Sequence, residues 1–428
     1  MYRPINPIIL RLIISIAVGL SLAINSFAID FDATFGSGGK FMTSFSATGQ
    51  PSSGGNQLFM QPSGRIVVVG THLQQGTSSR TSGFALAGLT PAGVLDAGFG
   101  SGGRVLSWDP IKHQFLTSSL MVTGGSILVL FQSWESEAMN RPVLVKFTPD
   151  GQPDANFQAD VDVTANQTSP ILIAPGVGGK IYALVRNFGS TLYTLFRLNQ
   201  NGSRDMTFGA NGVRNLNLNR FNHPTVTGLI ELENGKLLVV GTYYDQMYEG
   251  LTFVARFDSD TNIDRSFGLQ GATRIAIPGG SVGGIVTRLQ PDGKILIGGY
   301  WTFLGSNTLL MRLTPRGRLD NSFGTGGIAM TAFNNTNVIN GLAISPDGKI
   351  IASGGSGAKA VPSNQRLFIM RYSSTGVRET FLVTNFITNR EAGASDVVLQ
   401  ADGKMLIAGY TQNAADNNTQ LASARFLP

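Results

Sequence analysis

Short apolar runs bounded by glycine, proline, asparagine or aspartate recur along the whole chain, and stretches with a helical period are almost absent. Ile66-Val67-Val68-Val69, Ile295-Leu296-Ile297 and Leu309-Leu310-Met311-Arg312-Leu313 are examples, and runs of this kind predict strands. Many of them are apolar at consecutive positions, which suits strands covered on both faces. The punctuation between the runs is itself periodic. Gln290-Pro291-Asp292-Gly293-Lys294 leads straight into Ile295, and proline followed by a glycine that accepts positive φ makes a tight turn. The glycine of this turn falls at Gly64, Gly125, Gly179, Gly235, Gly293, Gly348 and Gly403, at intervals of 61, 54, 56, 58, 55 and 55 residues.

A second signature, Leu319-Asp320-Asn321-Ser322-Phe323-Gly324-Thr325-Gly326-Gly327, recurs with its aspartate at Asp32, Asp96, Asp154, Asp205, Asp264 and Asp320, and in degenerate form near Glu379. Each repeat of roughly 57 residues therefore holds four strands, A to D, with the Pro-Asp-Gly-type turn between A and B and the aspartate signature between C and D. That is the period and strand count of a propeller blade. The expected fold is all-β, a seven-bladed β-propeller of four-stranded blades over residues 29–428.

The two ends of the chain predict how the ring closes. The first signature, at Asp32, has no strand C before it, and the last strand C, around Leu421 to Leu427, has no strand D after it. The N-terminal strand should complete the last blade, which also covers two exposed edges. A charge pattern agrees. A basic residue precedes the acid by eight positions in Lys146/Asp154, Arg197/Asp205, Arg256/Asp264, Arg312/Asp320 and Arg371/Glu379. Arg425 and Asp32 are the unpaired remainder, and ring closure should join them. Gly88 breaks the pattern before Asp96.

The LDxxFGxGG and QPDGKI patterns resemble the delta-60 repeats of bacterial secreted and surface proteins, over essentially all of residues 30–428. The resemblance implies the propeller-like repeat fold and export, and no particular activity. The third copy departs from it at Gln158 and the seventh is shortened around Phe381.

Residues 1–28 read as a secretory signal. Arg3 and Arg11 precede the apolar run Leu12 to Ile24, and Ser26 and Ala28 are small residues at the expected cleavage site. The run is short for a permanent anchor, so a chain cleaved after Ala28 should be secreted or periplasmic, without a membrane span. The alternative is an uncleaved N-terminal anchor. The chain has no cysteine, which excludes disulfides and thiolate chemistry. The formal charge of +6 becomes +4 without Arg3 and Arg11, and no Lys/Arg cluster marks a nucleic-acid surface. A monomer is expected.

Alternating turns place the A–B and C–D turns on one face of a propeller and the B–C and D–A connections on the other. The latter are longer and vary from blade to blade, as binding loops on a rigid scaffold do. They carry the rare residues Trp108, His113, Trp134, His223, Tyr243, Tyr244 and Trp301, together with His72, Tyr248, Tyr300 and Tyr410. Rings on such loops stack on sugars or anchor a protein partner, or else pack beneath the loops. Asp109, Glu135, Glu137, Asp245, Glu249 and Glu391 are the carboxylates from which a glycosidase pair would have to come.

The recurring Arg/Asp pairs read as structural braces, because a reactive site should break the repeat rather than follow it. Asp258 to Asp264 has alternating oxygen ligands like a calcium loop, but Ile263 and Leu269 stand where that loop needs glycine and glutamate. Gly279-Gly280-Ser281-Val282-Gly283 matches a nucleophile-elbow string without the strand–turn–helix context. No cofactor or metal motif is present. The leading expectation is a non-catalytic module binding a glycan or protein partner on its B–C/D–A face. The alternatives are a secreted polysaccharide hydrolase or lyase, and a purely structural surface module.

Overall fold

The structure, a computed structural model, describes residues 29–45, 52–75, 80–107, 109, 112–134, 140–161, 168–187, 192–246, 249–302, 305–333, 336–358, 361–412 and 419–428. The signal-like residues 1–28 lie outside the described residues. The fold is a seven-bladed β-propeller of antiparallel blades. The fifth blade shows the pattern: Ser281–Leu289, Ile295–Thr302, Ser306–Leu313 and Ile328–Thr331 pair in that order as strands A to D. The second blade has three described strands, His113–Met121, Ile127–Trp134 and Asn140–Phe147.

The ring closes through the N-terminus. Lys40–Thr43 pairs antiparallel with Thr419–Phe426 and becomes strand D of the seventh blade. Its buried ion pair is Arg425 Nε to Asp32 Oδ2 at 2.7 Å.

Strands B and C carry the cores between blades. Val67, Val69, Phe84 and Leu86 of the first blade pack with Ile127, Val129 and Phe131 of the second. Leu296 and Leu310 of the fifth pack with Ile350, Ala352, Phe368 and Met370 of the sixth. Residues of these B strands are buried on both sides because a blade has a neighbour on each face, which accounts for the unbroken apolar runs.

The aspartate signature builds a girdle around the turn face. In the fifth blade, Asp320 Oδ1 accepts the amide and hydroxyl of Ser322, and Arg312 Nε donates to Oδ2 at 2.8 Å. The Arg312 guanidinium lies over the Phe323 ring and donates onward to the carbonyl of Ser374 in the next blade. The Gly324 amide donates to Thr375 O, and Phe323 tucks under Gly376 of that same turn. The amide link recurs as Gly36 to Ala92, Gly100 to Asp150, Gln158 to Asn201 and Gly268 to Arg316, so the missing glycine at Gln158 leaves it intact.

A second cation at five of these acids was not foreseen from sequence. It is the lysine of the A–B turn: Lys236 reaches Asp264 at 2.8 Å, Lys180 reaches Asp205 at 3.1 Å and Lys404 reaches Asp32 at 3.2 Å. Lys349 and Arg371 hold Glu379 in the degenerate copy. Arg65 occupies the lysine's place in the first blade and reaches Asp96 at 2.6 Å, so it supplies the cation that Gly88 lacks. Burial would raise the pKa of Asp320, but hydrogen bonds from Ser322 and the charges of Arg312 and Lys294 outweigh it and hold the group at about 2. Asp32, Asp205 and Asp264 are likewise held well below the ordinary carboxylate range, burial being outweighed by hydrogen bonds and paired cations.

Candidate functional site

The seven A strands form the inner wall, and each carries a β-bulge at the same level. The register shifts lie at Gly55/Gln57, Leu116/Ser118, Pro170/Leu172, Val226/Gly228, Gly284/Val286, Ile339/Gly341 and Ala394/Asp396. A bulge re-aims side chains and leaves ladder groups unpaired. Strand B approaches the bulged strand so closely that a Cβ at Gly299 would lie 1.8 Å from Gly283 O.

Three inner strands use the residue after the bulge to satisfy the next blade. Asp396 Oδ2 accepts the Leu58 amide at 3.1 Å, Gln57 Oε1 accepts the Ser119 amide at 2.7 Å, and Ser118 Oγ accepts the Ile173 amide at 3.3 Å. Arg288 of the fifth blade comes within 3.8 Å of Asp396. Burial raises the Asp396 pKa against the opposing effects of Arg288 and the two amides it accepts. Glu391, at the start of the same strand, is also raised by burial. These two carboxylates stand five residues apart along one strand, on the order of 15 Å at ~3.3 Å per residue.

The B–C/D–A face carries a cluster of exposed rings on the second blade. His113 and Trp134 stand opposite each other in register, and Phe115 shares their side of the sheet. His113 and Phe115 stack at 5.6 Å, and Trp134 lies 6.3 Å from the former and 6.1 Å from the latter. Phe115 is 41% and Trp134 40% exposed. Two successive large rings left half in water at a strand end form an amphipathic platform. His113 Nδ1 is anchored by the Ser82 amide of the first blade at 3.3 Å, which limits the cluster's motion. Phe115 was not among the residues singled out in the sequence. Its signal was the i, i+2 spacing from His113, which puts both on one face of a strand.

The remaining residues divide between rim and core. Tyr244 is 49% exposed, with its amide on Asn222 O. His223 is exposed at a φ of 47°. Tyr243 corrects the expectation of a binding residue: its ring is 7% exposed and packs on Phe221 and Phe253. Neighbouring strand residues point to opposite faces, so Tyr243 goes in where Tyr244 goes out. His72 is buried, with Nε2 3.2 Å from Ser107 O. Trp301 is the penultimate residue of strand B of the fifth blade, half-buried against the core it shares with the fourth. Tyr410 hydrogen-bonds Gln365. Trp108, Glu135, Glu137 and Tyr248 lie outside the described residues.

The calcium-like segment is an Asx turn, in which Asp258 Oδ1 accepts the amides of Asp260 and Asn262. Asp260 is paired with Arg214. Among the described residues no group of three or more His, Asp or Glu side chains gathers to hold a metal. Ser281 opens strand A of the fifth blade and accepts the Gly250 amide, which is not the geometry of a nucleophile elbow.

Several solved structures are similar to this chain. A protein of unknown function from Dyadobacter fermentans is 12% identical, with a TM-score of 0.43, covering 91% of this chain and 99% of its own. The polysaccharide lyase Uly1 is 10% identical at a TM-score of 0.48, covering 87% and 89%. A polysaccharide lyase of family PL25, an ulvan lyase, is 12% identical at 0.48, covering 87% and 94%. Likeness at this level carries no argument about activity. A search of curated proteins finds no match. The family described as "Domain of unknown function (DUF5122) beta-propeller" matches residues 232–267, 290–323 and 400–428. Each matched segment contains an A–B turn and strand B of one blade, so the chain is a propeller-repeat protein.

Proposed function

We propose that the chain is an exported, monomeric, non-catalytic binding module of the delta-60 repeat type, which recognises a glycan or a protein partner through its B–C/D–A face. The observation that carries this reading is the His113–Phe115–Trp134 platform, exposed at the end of one blade and absent from the repeat pattern. Two staggered rings beside an imidazole suit the apolar face of a sugar ring or an aromatic anchor from a partner. Export rests on the signal-like residues 1–28 and on the resemblance to the delta-60 repeats of secreted and surface proteins. The hydrolase or lyase reading is weaker. The raised carboxyls Glu391 and Asp396 are spaced beyond the ~5–10 Å of a glycosidase pair, and Asp396 is engaged by backbone amides.

A thermal-shift screen of the purified chain against neutral and acidic polysaccharides, with Ca²⁺ in a separate arm, tests this. A ligand at about 100 times its Kd adds roughly 2.7 kcal/mol of stability. A glycan that raises the melting temperature of the parent and not of Trp134→Ala supports the rim. A shift by an uncharged glycan that survives both Trp134→Ala and Phe115→Ala overturns it.

A further inference from the structure

Three arginines depart from the repeat at one place. Arg265 follows the repeat aspartate, where other copies carry Ala97, Met206 or Asn321. Arg274 lies on strand D of the fourth blade (Ala272–Ile275), at the position of Leu106, Asn215 and Met330 in other blades. Arg220 comes from the segment that leads out of strand D of the third blade (Val213–Asn217). Where the third and fourth blades join, Arg220 and Arg265 line a hollow of 490 Å³ with Asn217, Phe257, Thr261, Asn262, Ile263 and Gln270, while Arg274 stands beside Arg220 and lines the adjoining hollow with Arg318.

Two of the guanidinium groups are held in place. Arg220 Nη1 donates to Gln270 O at 2.9 Å, and Arg274 Nη2 donates to Arg220 O at 3.1 Å. Both lie over the Phe221 ring, at 6.0 and 5.2 Å from its centroid, and that ring is buried and stacked on Phe253. Among the described residues no carboxylate pairs with Arg220, Arg265 or Arg274, although the repeat pairs its own arginines throughout. The acids of the adjacent turn are already engaged: Asp260 by Arg214, Asp264 by Arg256 and Lys236, and Asp258 by the amides of Asp260 and Asn262. Burial and the like charges of Arg274 and Arg265 lower the Arg220 pKa, so an anion entering the hollow would relieve a standing repulsion.

We propose that this hollow is an oxyanion site for the sulfate or carboxylate groups of an acidic polysaccharide. The planar guanidinium fork matches both groups. Asn217, Thr261, Asn262 and Gln270 supply amide and hydroxyl groups around it, which suits a hydroxylated ligand. A single-stranded nucleic acid would need an exposed ring on which to stack, and the rings here, Phe221 and Phe257, are both buried. The site is remote in sequence from the His113–Phe115–Trp134 rim and does not depend on it.

The test compares binding of the purified chain to dextran sulfate, polygalacturonate and uncharged dextran. Two double variants are used, each losing the same charge: Arg220→Gln with Arg265→Gln at the hollow, and Arg316→Gln with Arg378→Gln at exposed positions of the fifth and sixth blades. Melting temperatures check that both remain folded. The expected result is binding to at least one acidic polymer and not to dextran. The hollow variant should bind about tenfold more weakly, the equivalent of losing one charge-assisted hydrogen bond, and the control within about twofold. The stronger of the two acidic polymers tells sulfate from carboxylate. Three results overturn the proposal: no binding to either acidic polymer, equal losses in both double variants, or a DNA oligonucleotide bound as tightly with the same dependence on the hollow.

Discussion

Replacing Gly317 by alanine tests the girdle at a single atom. Gly317 sits in the C–D turn of the fifth blade with a φ of +79°, and a Cβ there would lie 2.5 Å from the Phe267 ring of the fourth blade. The left-handed conformation costs a non-glycine residue about 1–2 kcal/mol. Forcing a methyl against a fully buried ring adds about 1–3 kcal/mol of overpacking. Gly317→Ala should therefore lose about 2–5 kcal/mol in sum. Phe267→Ala alone removes a completely buried ring and should lose about 3–5 kcal/mol. In the double variant the ring that the methyl would strike is gone, so the overpacking disappears while the backbone cost stays. The two losses should then fall short of additivity by about 1–3 kcal/mol. Urea unfolding followed by far-UV circular dichroism, with the parent and all three variants at one temperature, measures the cycle. Additivity within about 0.5 kcal/mol would refute the reasoning, because it would mean that the two residues do not share one contact across the blade junction.

Arg425→Met leaves the buried Asp32 with only Lys404 and should destabilise the ring by about 3–5 kcal/mol, whereas Arg316→Gln at an exposed turn should stay within about 0.5 kcal/mol in the same denaturation assay. Asp32, Asp205, Asp264 and Asp320 all have folded pKa values below the ordinary 3.8, with Asp320 at about 2. A group depressed in the folded state contributes its full stability above its unfolded pKa and loses it as pH falls through the folded value. The melting temperature should accordingly be nearly flat from neutral pH to about 5 and fall between about 4 and 2, and Asp320→Asn should flatten that descent. A descent centred between pH 5 and 7 would count against the girdle acids as its source.

The repeat was legible because its punctuation is chemically demanding. A glycine such as Gly293 or Gly317 accepts the positive φ of the turn at least cost, with Thr261 taking Gly317's place in the fourth blade at 61°, and a short acid such as Asp320 caps the amide two residues on. Ring closure was legible from Asp32 and Arg425, each lacking its partner in sequence. The role of the turn lysines was not, because Lys236 and Asp264 are 28 residues apart and meet only when the A–B and C–D turns share a face. The same reason hid Arg65, whose place in the turn is filled by lysine elsewhere. The inner bulges have no residue signature, since Asn56, Ile171 and Thr227 occupy equivalent places in their strands. Of the candidate rings, the sequence could name loop aromatics but could not separate Tyr243 from Tyr244. It could not bring Arg220 to Arg265 and Arg274 either, because only the packing of one blade on the next joins them.

The platform on the second blade can be watched directly through Trp134. The chain has three tryptophans, so Trp108→Phe with Trp301→Phe leaves Trp134 as the single reporter. Fluorescence of this variant, titrated with each uncharged polysaccharide that stabilises the parent chain, is the most direct test of the proposed binding face. A saturable blue shift, as the half-exposed indole leaves water, with a midpoint equal to the parent's Kd, is the predicted result. A ligand that stabilises the variant as it does the parent while the Trp134 emission stays unchanged would contradict the account.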